Sequence, residues 1–340
     1  MSSLIRRLPI YLLLDCSESM AGDAIEEVSR GIQTMVQALH DDPLAIETAY
    51  ISVITFSGHA KQIVPLTEVL SFQPPKLIVR TGTGLGAALQ LLAHCLKRDI
   101  QRVSETCKGD YKPIVILLTD GQPTDDWEAA AARIKSPGTP SIANIYAVAC
   151  GADADTDVLR RVTDIVLQMQ QMTRDSWRNL FVWLTASVQT TSKALDAGRE
   201  GEAINLPALP EGLEVAPATA GYRDPRPRQV FLHASCSKTK QPYLMRFARR
   251  GDSSTYVALC SHPLETAEGD DINQSNQTIN TAQLDGVPSC PYCEAQGVCK
   301  CDCGSLFCVS GTSEFVTCPS CGQGGQLGGG GSFDLRQTEG

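Results

Sequence analysis

Basic residues are in short supply: 29 lysines and arginines stand against 38 aspartates and glutamates, a formal net charge of −9 at pH 7. A partner recognised through its phosphates would want a basic face, so nucleic acid and anionic membrane are disfavoured. Long apolar runs are missing too, and no stretch approaches the roughly 20 apolar residues that span a bilayer. At the amino terminus, Arg6-Arg7-Leu8 and Ile10 to Leu14 imitate a charged region before an apolar core. The run stops at Asp15 without a small-residue cleavage site, so a buried strand is expected rather than a signal peptide. Cytoplasmic residence is the expectation. The triplets Asn273-Gln274-Ser275 and Asn276-Gln277-Thr278 then carry no glycosylation chemistry. Catalytic groupings are also absent from the linear sequence. His40, His59 and His94 are scattered singly, and no serine or cysteine motif supplies a nucleophile with an adjacent base and its orienting partner. Binding is expected, and catalysis is not.

What is present suggests two domains. The 340 residues exceed one average domain, and 42% hydrophobic with 20% charged residues is ordinary for globular protein. The first half alternates β-branched runs with amphipathic helical patterns, which predicts a doubly wound, mostly parallel α/β sheet. Strands are expected at Pro9 to Leu14, Ile51 to Phe56, Ile114 to Thr119 and Ile142 to Ala149. Each is almost continuously apolar, as a strand covered on both faces should be. Ile25, Val28, Ile32, Met35, Val36 and Leu39 recur at helical spacing, as do Leu85, Ala88, Leu89, Leu92 and Leu96. A last helix is expected from about Asp175, carrying Trp177, Leu180, Phe181, Leu184 and Val188.

Ligands of such sheets bind beyond the carboxyl ends of the strands. After the first strand comes Asp15-Cys16-Ser17-Glu18-Ser19-Met20, and after the Ile114 strand Thr119-Asp120-Gly121-Gln122-Pro123-Thr124-Asp125. Ahead of the second helix stands Arg80-Thr81-Gly82-Thr83-Gly84-Leu85-Gly86. That glycine-rich segment lacks both the Walker lysine and the dinucleotide-binding spacing, which argues against a nucleotide site. Each of the three segments instead brings hydroxyl or carboxylate oxygens to one sheet edge, and hard oxygen ligands suit Mg²⁺, Mn²⁺ or Ca²⁺. Asp15-x-Ser17-x-Ser19, then Thr83, then Asp120 followed by glycine resembles the metal-ion-dependent adhesion site of von Willebrand A domains. The resemblance implies that Asp15, Ser17, Ser19, Thr83 and Asp120 hold the ion, and that a partner's carboxylate completes its shell. Thr81 is a rival to Thr83. Glu18 occupies a position usually held by glycine in the family and is expected to add charge at the rim.

The A-type domain is expected over residues 1–197. A proline-rich linker follows over 198–228, with Pro207, Pro210, Pro217, Pro225 and Pro227. A small β-rich, zinc-ribbon-like domain is expected over 229–322, and a disordered glycine-rich tail over 323–340. Strand-like runs in the second domain are Val230 to His233, Tyr243 to Phe247 and Tyr256 to Leu259.

Eight of the 14 cysteines crowd between positions 290 and 321, a density that in a reducing compartment argues for metal. Cys290-Pro-Tyr-Cys293 and Cys318-Pro-Ser-Cys321 are expected to share one zinc ion through four sulfurs. Cys299, Cys301, Cys303 and Cys308 lie between them. A second ion could be held among these, or by Cys301, Cys303 and Cys308 with Cys236. Another arrangement joins His233 and Cys236 with Cys260 and His262. Four sulfurs would close the zinc shell against catalysis. From Gln229 onward, 7 basic residues face 11 acidic ones and the aromatics are not interleaved with basic residues, so protein contact is preferred to nucleic acid.

Taken together, the A-type motifs, Cys236-Ser-Lys-Thr-Lys-Gln-Pro-Tyr-Leu and the Cys-Pro-x-Cys pairs resemble the TerY proteins of bacterial tellurium-resistance systems. Their metal-binding domain is similar across residues 229–322. That resemblance implies a scaffold working with a protein kinase and a PP2C-type phosphatase. A nucleic-acid-associated assembly factor and a metal-dependent hydrolase are the competing readings.

Overall fold

The computed structural model describes residues 6–104, 108–120, 122–136, 139–151, 154–196, 207–216, 229–250, 253–264, 274–310, 315–327 and 331–338. The chain divides into two compact units, residues 1–77 with 83–221 and residues 78–82 with 222–340.

The first unit is built on seven strands: β1 (Leu8–Asp15), β2 (Ala49–Phe56), β3 (Ala60–Glu68), β4 (Ile114–Thr119), β5 (Asn144–Cys150), β6 (Ile165–Met169) and β7 (Glu214–Val215). Their order is β3-β2-β1-β4-β5-β6-β7. The five inner strands run parallel, and an antiparallel strand closes each edge. Six helices accompany them: α1 (Asp23–His40), α2 (Pro43–Thr48), α3 (Leu85–Asp99), α4 (Glu128–Ile134), α5 (Thr156–Val162) and α6 (Arg174–Asp196).

Alternation along β1 shows how the layers form. Leu8, Ile10, Leu12 and Leu14 pack with Val28, Ile32 and Met35 of α1 and with Trp177, Phe181 and Leu184 of α6. Tyr11 and Leu13 face the opposite core, with Leu89 and Leu92 of α3, Ile134 of α4 and Leu159 of α5. The continuous apolar strand is thus two interleaved half-patterns, one for each layer. Close approach of α1 to α6 requires glycine at 31, where a Cβ would stand 1.9 Å from the Phe181 ring.

The four expected strands are present. β3 was not expected: none of its residues is fully buried, and it contains Pro65, which a sheet edge tolerates. The proline-rich stretch, expected as a linker of restricted flexibility, belongs in part to the first unit. Its described part, residues 207–216, packs on the first unit. Trp183 Nε1 donates to the Pro207 carbonyl (3.0 Å), Leu213 is buried, and Val215 pairs with Leu167. The unpaired edge of β6 offers main-chain groups that β7 satisfies. The remainder of the expected linker, residues 198–206 and 217–228, lies outside the described residues, as do Gly121 and Asn273.

The second unit contains β8 (Gln229–Ser235), β9 (Pro242–Arg249), β10 (Tyr256–Pro263), β11 (Gln274–Asn280), β12 (Leu284–Asp285), β13 (Gly297–Lys300), β14 (Leu306–Val309), β15 (Phe315–Thr317), β16 (Gly324–Gln326) and β17 (Asp334–Thr338). Six of these make one sheet, in the order β12-β10-β9-β8-β14-β13. Val230, Leu232, Tyr243, Met245 and Phe247 form its buried face. The expected disordered tail is a second correction. β16 pairs with β15 and β17 with β11, while Leu335 is 2% exposed beside the equally buried Ile279. Phe333 and Leu335 supply apolar anchors that the surrounding glycines conceal in the sequence. Among the described residues no helix is long and apolar enough to cross a membrane.

Candidate metal centres

β1 ends on Asp15 and β4 delivers Asp120 one residue after its last, so two carboxylates reach the same sheet end from neighbouring strands. Asp15 is 1% exposed and Asp120 8%. The Ser17 N–H donates to Asp15 Oδ1 (2.9 Å), and the Thr119 hydroxyl donates to Oδ2 (2.6 Å). Ser17 and Ser19 share a hydroxyl hydrogen bond of 2.9 Å, and the Gln122 N–H donates to Asp120 Oδ1 (3.1 Å). Burial foremost, and then the charge of Asp120, push the Asp15 carboxyl up to about 7, against the hydrogen bonds from Ser17 and Thr119. Asp120 is also raised, by burial first and with Glu18 contributing, against hydrogen bonds from Ser19 and Gln122. Two buried carboxylates at one edge are costly unless a cation compensates them.

Thr83 precedes α3 and is completely buried. Its main chain is stitched to Thr124: the Thr83 N–H donates to Thr124 Oγ1 (3.1 Å), and the Thr83 carbonyl accepts from the Thr124 N–H (2.9 Å). Asp125 caps the start of α3 through the N–H groups of Gly86 and Ala87 (2.9 and 2.8 Å). The loop is thereby fixed, yet among the described residues the Thr83 hydroxyl has no hydrogen-bond partner. A buried orphan oxygen fits a cation ligand, and Thr81 is half-exposed. Carboxylates and hydroxyls together fit Mg²⁺, Mn²⁺ or Ca²⁺. Glu18, expected at the rim, is instead fully buried in a short 3₁₀ turn. Thr119, Thr124 and Asp125 had no role assigned from sequence, although all three stand in the same run as Asp120.

The cysteines assemble differently from expectation. Cys236, Cys290, Cys293 and Cys308 form one cluster, and Cys301, Cys303, Cys318 and Cys321 another; within each, all sulfurs lie within 4.8 Å of one another. The two Cys-x-x-Cys pairs therefore belong to different clusters. Strand order is the reason. β14 runs parallel to β8, with Phe307 opposite Ser235, so Cys308 and Cys236 reach one end together. The turn of the β13–β14 hairpin carries Cys301 and Cys303 to the other cluster. Cys301, Cys303 and Cys308 with Cys236 do not form the alternative set, nor does Cys236 join His233, Cys260 and His262.

Three of the ligand-bearing turns are of one type. The N–H groups of Lys240, Glu294 and Gly322 return to the carbonyls of Cys236, Cys290 and Cys318 (2.8, 2.9 and 3.0 Å). These three residues have positive φ of 62°, 62° and 77°. Lys240 and Glu294 accept a backbone shape that normally favours glycine, which tightens each turn around its sulfur. Nearest sulfurs stand 3.5 Å apart for Cys293–Cys308, 3.6 Å for Cys301–Cys321 and 3.8 Å for Cys303–Cys318. A tetrahedron with zinc–sulfur bonds of 2.3 Å has edges of about 3.8 Å, so both clusters fit zinc. Burial disfavours the Cys236 thiolate most, but hydrogen bonds from Thr239, Lys238 and Cys293 together outweigh it and bring the thiol down to about 6. Ser305 brings Cys303 down to about 6 in the second cluster.

Among known proteins, the family model for the von Willebrand factor type A domain matches residues 10–180, and that for the TerY-C metal binding domain matches residues 227–340. No curated protein sequence matches the chain. Among solved structures, proximal thread matrix protein 1 from the mussel byssus is 16% identical with a TM-score of 0.41, over 54% of this chain and 48% of that one. A structure of the same protein with a zinc-occupied MIDAS motif is 17% identical with a TM-score of 0.41, over the same shares. The ArnB paralog VWA2 from Sulfolobus acidocaldarius is 18% identical with a TM-score of 0.40, over 54% of this chain and 45% of that one. This chain thus spans about half the length of each of these structures. From the match over residues 10–180, the chain belongs to the von Willebrand factor type A family, and a TerY-C metal-binding domain follows that module.

Proposed function

We propose that the chain is a non-enzymatic protein-binding scaffold whose first domain grips its partner through a divalent cation. Asp15, Ser17, Ser19, Thr83 and Asp120 would hold Mg²⁺, Mn²⁺ or Ca²⁺, and a carboxylate of the partner would complete the shell. The observation that carries this reading is the buried Thr83 hydroxyl, left without a hydrogen-bond partner at the sheet end where Asp15 and Asp120 are buried. Removing two carboxylates and a hydroxyl from water is offset when an ion takes their lone pairs. Each cysteine cluster would hold one zinc ion closed by four sulfurs, a structural role. The partners we propose are a protein kinase and a PP2C-type phosphatase in a cytoplasmic stress response that includes tellurite resistance.

The test is capture from native lysate by wild type and Asp15→Ala, each with and without Mg²⁺, with zinc content measured on both. Capture of the kinase or the phosphatase only by wild type with Mg²⁺ is the expected outcome. Capture by both proteins regardless of Mg²⁺ would contradict the adhesion-site mechanism.

A further inference from the structure

Outside the two clusters, one cysteine of the second unit is paired with a base. Cys260 Sγ lies 3.2 Å from His262 Nε2, and both residues are half-exposed on β10. Two residues apart on a strand, they project from the same face. A bulge between Ala258 and Cys260 sets their register, and the intervening Leu259 is 54% exposed. Bulges re-aim side chains at sheet edges, and β12 accompanies β10 only at Tyr256 and Val257.

Arg246 and His233 stand on the pair's face of the sheet. Arg246 of β9 stands opposite Cys260, its Nε donating to Gln229 Oε1 (2.7 Å). His262 and His233 of β8 are both opposite Leu244, in one row across the sheet. Directly opposed residues share a face at Cβ separations of about 5 Å; Asp285 of β12, opposite Val257 and ion-paired with Arg250 (2.9 Å), lies further along the thiol's face, while the Arg246 guanidinium and the two imidazoles share the rows of Cys260 and His262. A thiolate is favoured next to such groups. Cys16, Cys95 and Cys150 are buried, and the eight cluster sulfurs are committed to one another. Cys299 is also outside the clusters, but burial foremost, followed by Cys318 and Cys308, pushes its thiol up to about 11.

We propose that Cys260 is a nucleophilic thiol activated by His262 and modified by small electrophiles of the hydroperoxide class. His262 Nε2 takes the thiol proton, and the thiolate attacks the peroxide oxygen. An S–O bond forms as the O–O bond breaks. The leaving hydroxide or alkoxide takes the proton from the imidazolium, leaving a sulfenic acid and water or an alcohol. Cysteine is oxidised by two electrons and the peroxide is reduced. This site stands apart from the adhesion-site reading and does not depend on it.

The experiment uses the zinc-loaded full chain, with hydrogen peroxide and a sulfenic-acid trap, and mass spectrometry to locate the label. Cys260 is expected to be labelled several-fold faster than Cys299. His262→Gln is expected to slow Cys260 by roughly fivefold at pH 6.5, a larger thiolate fraction in wild type being partly offset by the lower nucleophilicity of an acidic thiolate. Zinc content monitors the fold of the variant. Independently of any variant, the wild-type rate at Cys260 is expected to rise at lower pH than that at Cys299. Labelling of Cys260 no faster than Cys299, coincident pH profiles, or an unchanged rate in zinc-loaded His262→Gln would overturn the proposal.

Discussion

A buried hydroxyl with nothing to bond to is an unusual investment, and Thr83 separates a structural from a ligand role. Its side-chain oxygen makes no protein hydrogen bond, so Thr83→Val removes no such contact. Without divalent ions this variant is expected to be as stable as wild type, or up to about 1 kcal/mol more stable, because an unpaired polar atom has been removed. Its Mg²⁺ affinity should fall at least about tenfold by calorimetric titration, since a ligand is lost. A fall in stability with unchanged Mg²⁺ binding would make Thr83 a packing residue. Asp15 makes a pH prediction of definite sign. Its folded carboxyl is raised to about 7, first by burial and then by Asp120. The ion-free fold therefore keeps a proton that the unfolded chain releases near the ordinary value of about 4. Stability of the ion-free protein is lost as pH rises through that window and stays reduced above it. A divalent ion replaces the proton, so Mg²⁺ should raise Tm more at about pH 8 than at about pH 5. Equal shifts at both would contradict the assignment.

Among the elements, α1 and α6 meet where Gly31 lies against the Phe181 ring. Gly31→Ala must displace that ring, with an expected cost of about 1–3 kcal/mol in chemical denaturation; a neutral result would mean that the helices part freely. The parallel strands were legible because continuous apolar runs serve two cores at once, as β1 does. β3 was not legible, because its apolar residues serve one partly exposed edge and are interrupted by Pro65. That Asp15 and Asp120 would be neighbours could be read because they close two parallel strands whose order follows from the fold. Cysteine pairing could not: spacing within Cys290-Pro-Tyr-Cys293 specifies a turn, whereas its partner depends on β14 lying beside β8. The two clusters also differ in exposure. Cys236, Cys290 and Cys308 are buried, whereas Cys303 and Cys321 are exposed. A chelator is therefore expected to remove zinc in two phases, with the fast phase belonging to the exposed cluster. Cys318→Ser should abolish the fast phase and leave the slow one; loss of the slow phase instead would reverse the assignment.

For the molecule as a whole, the clusters interleave along the chain: Cys301 and Cys303 of one fall between Cys293 and Cys308 of the other. Each ion would thus close a loop containing ligands of its neighbour, so two zinc ions per chain are expected by elemental analysis. The tail contributes to the same unit, since β17 buries Leu335 against Ile279 through an antiparallel pairing that composition alone did not suggest. The site proposed in the first domain uses a different chemistry, oxygen groups at the end of a parallel sheet. The most direct test is calorimetric titration of Mg²⁺ into zinc-loaded wild type and Asp15→Ala at about pH 8, where Asp15 is largely ionised. The account predicts one Mg²⁺ site in wild type and its loss in Asp15→Ala, with the zinc content of both unchanged. Absence of binding by wild type, or equal binding by both proteins, would contradict it.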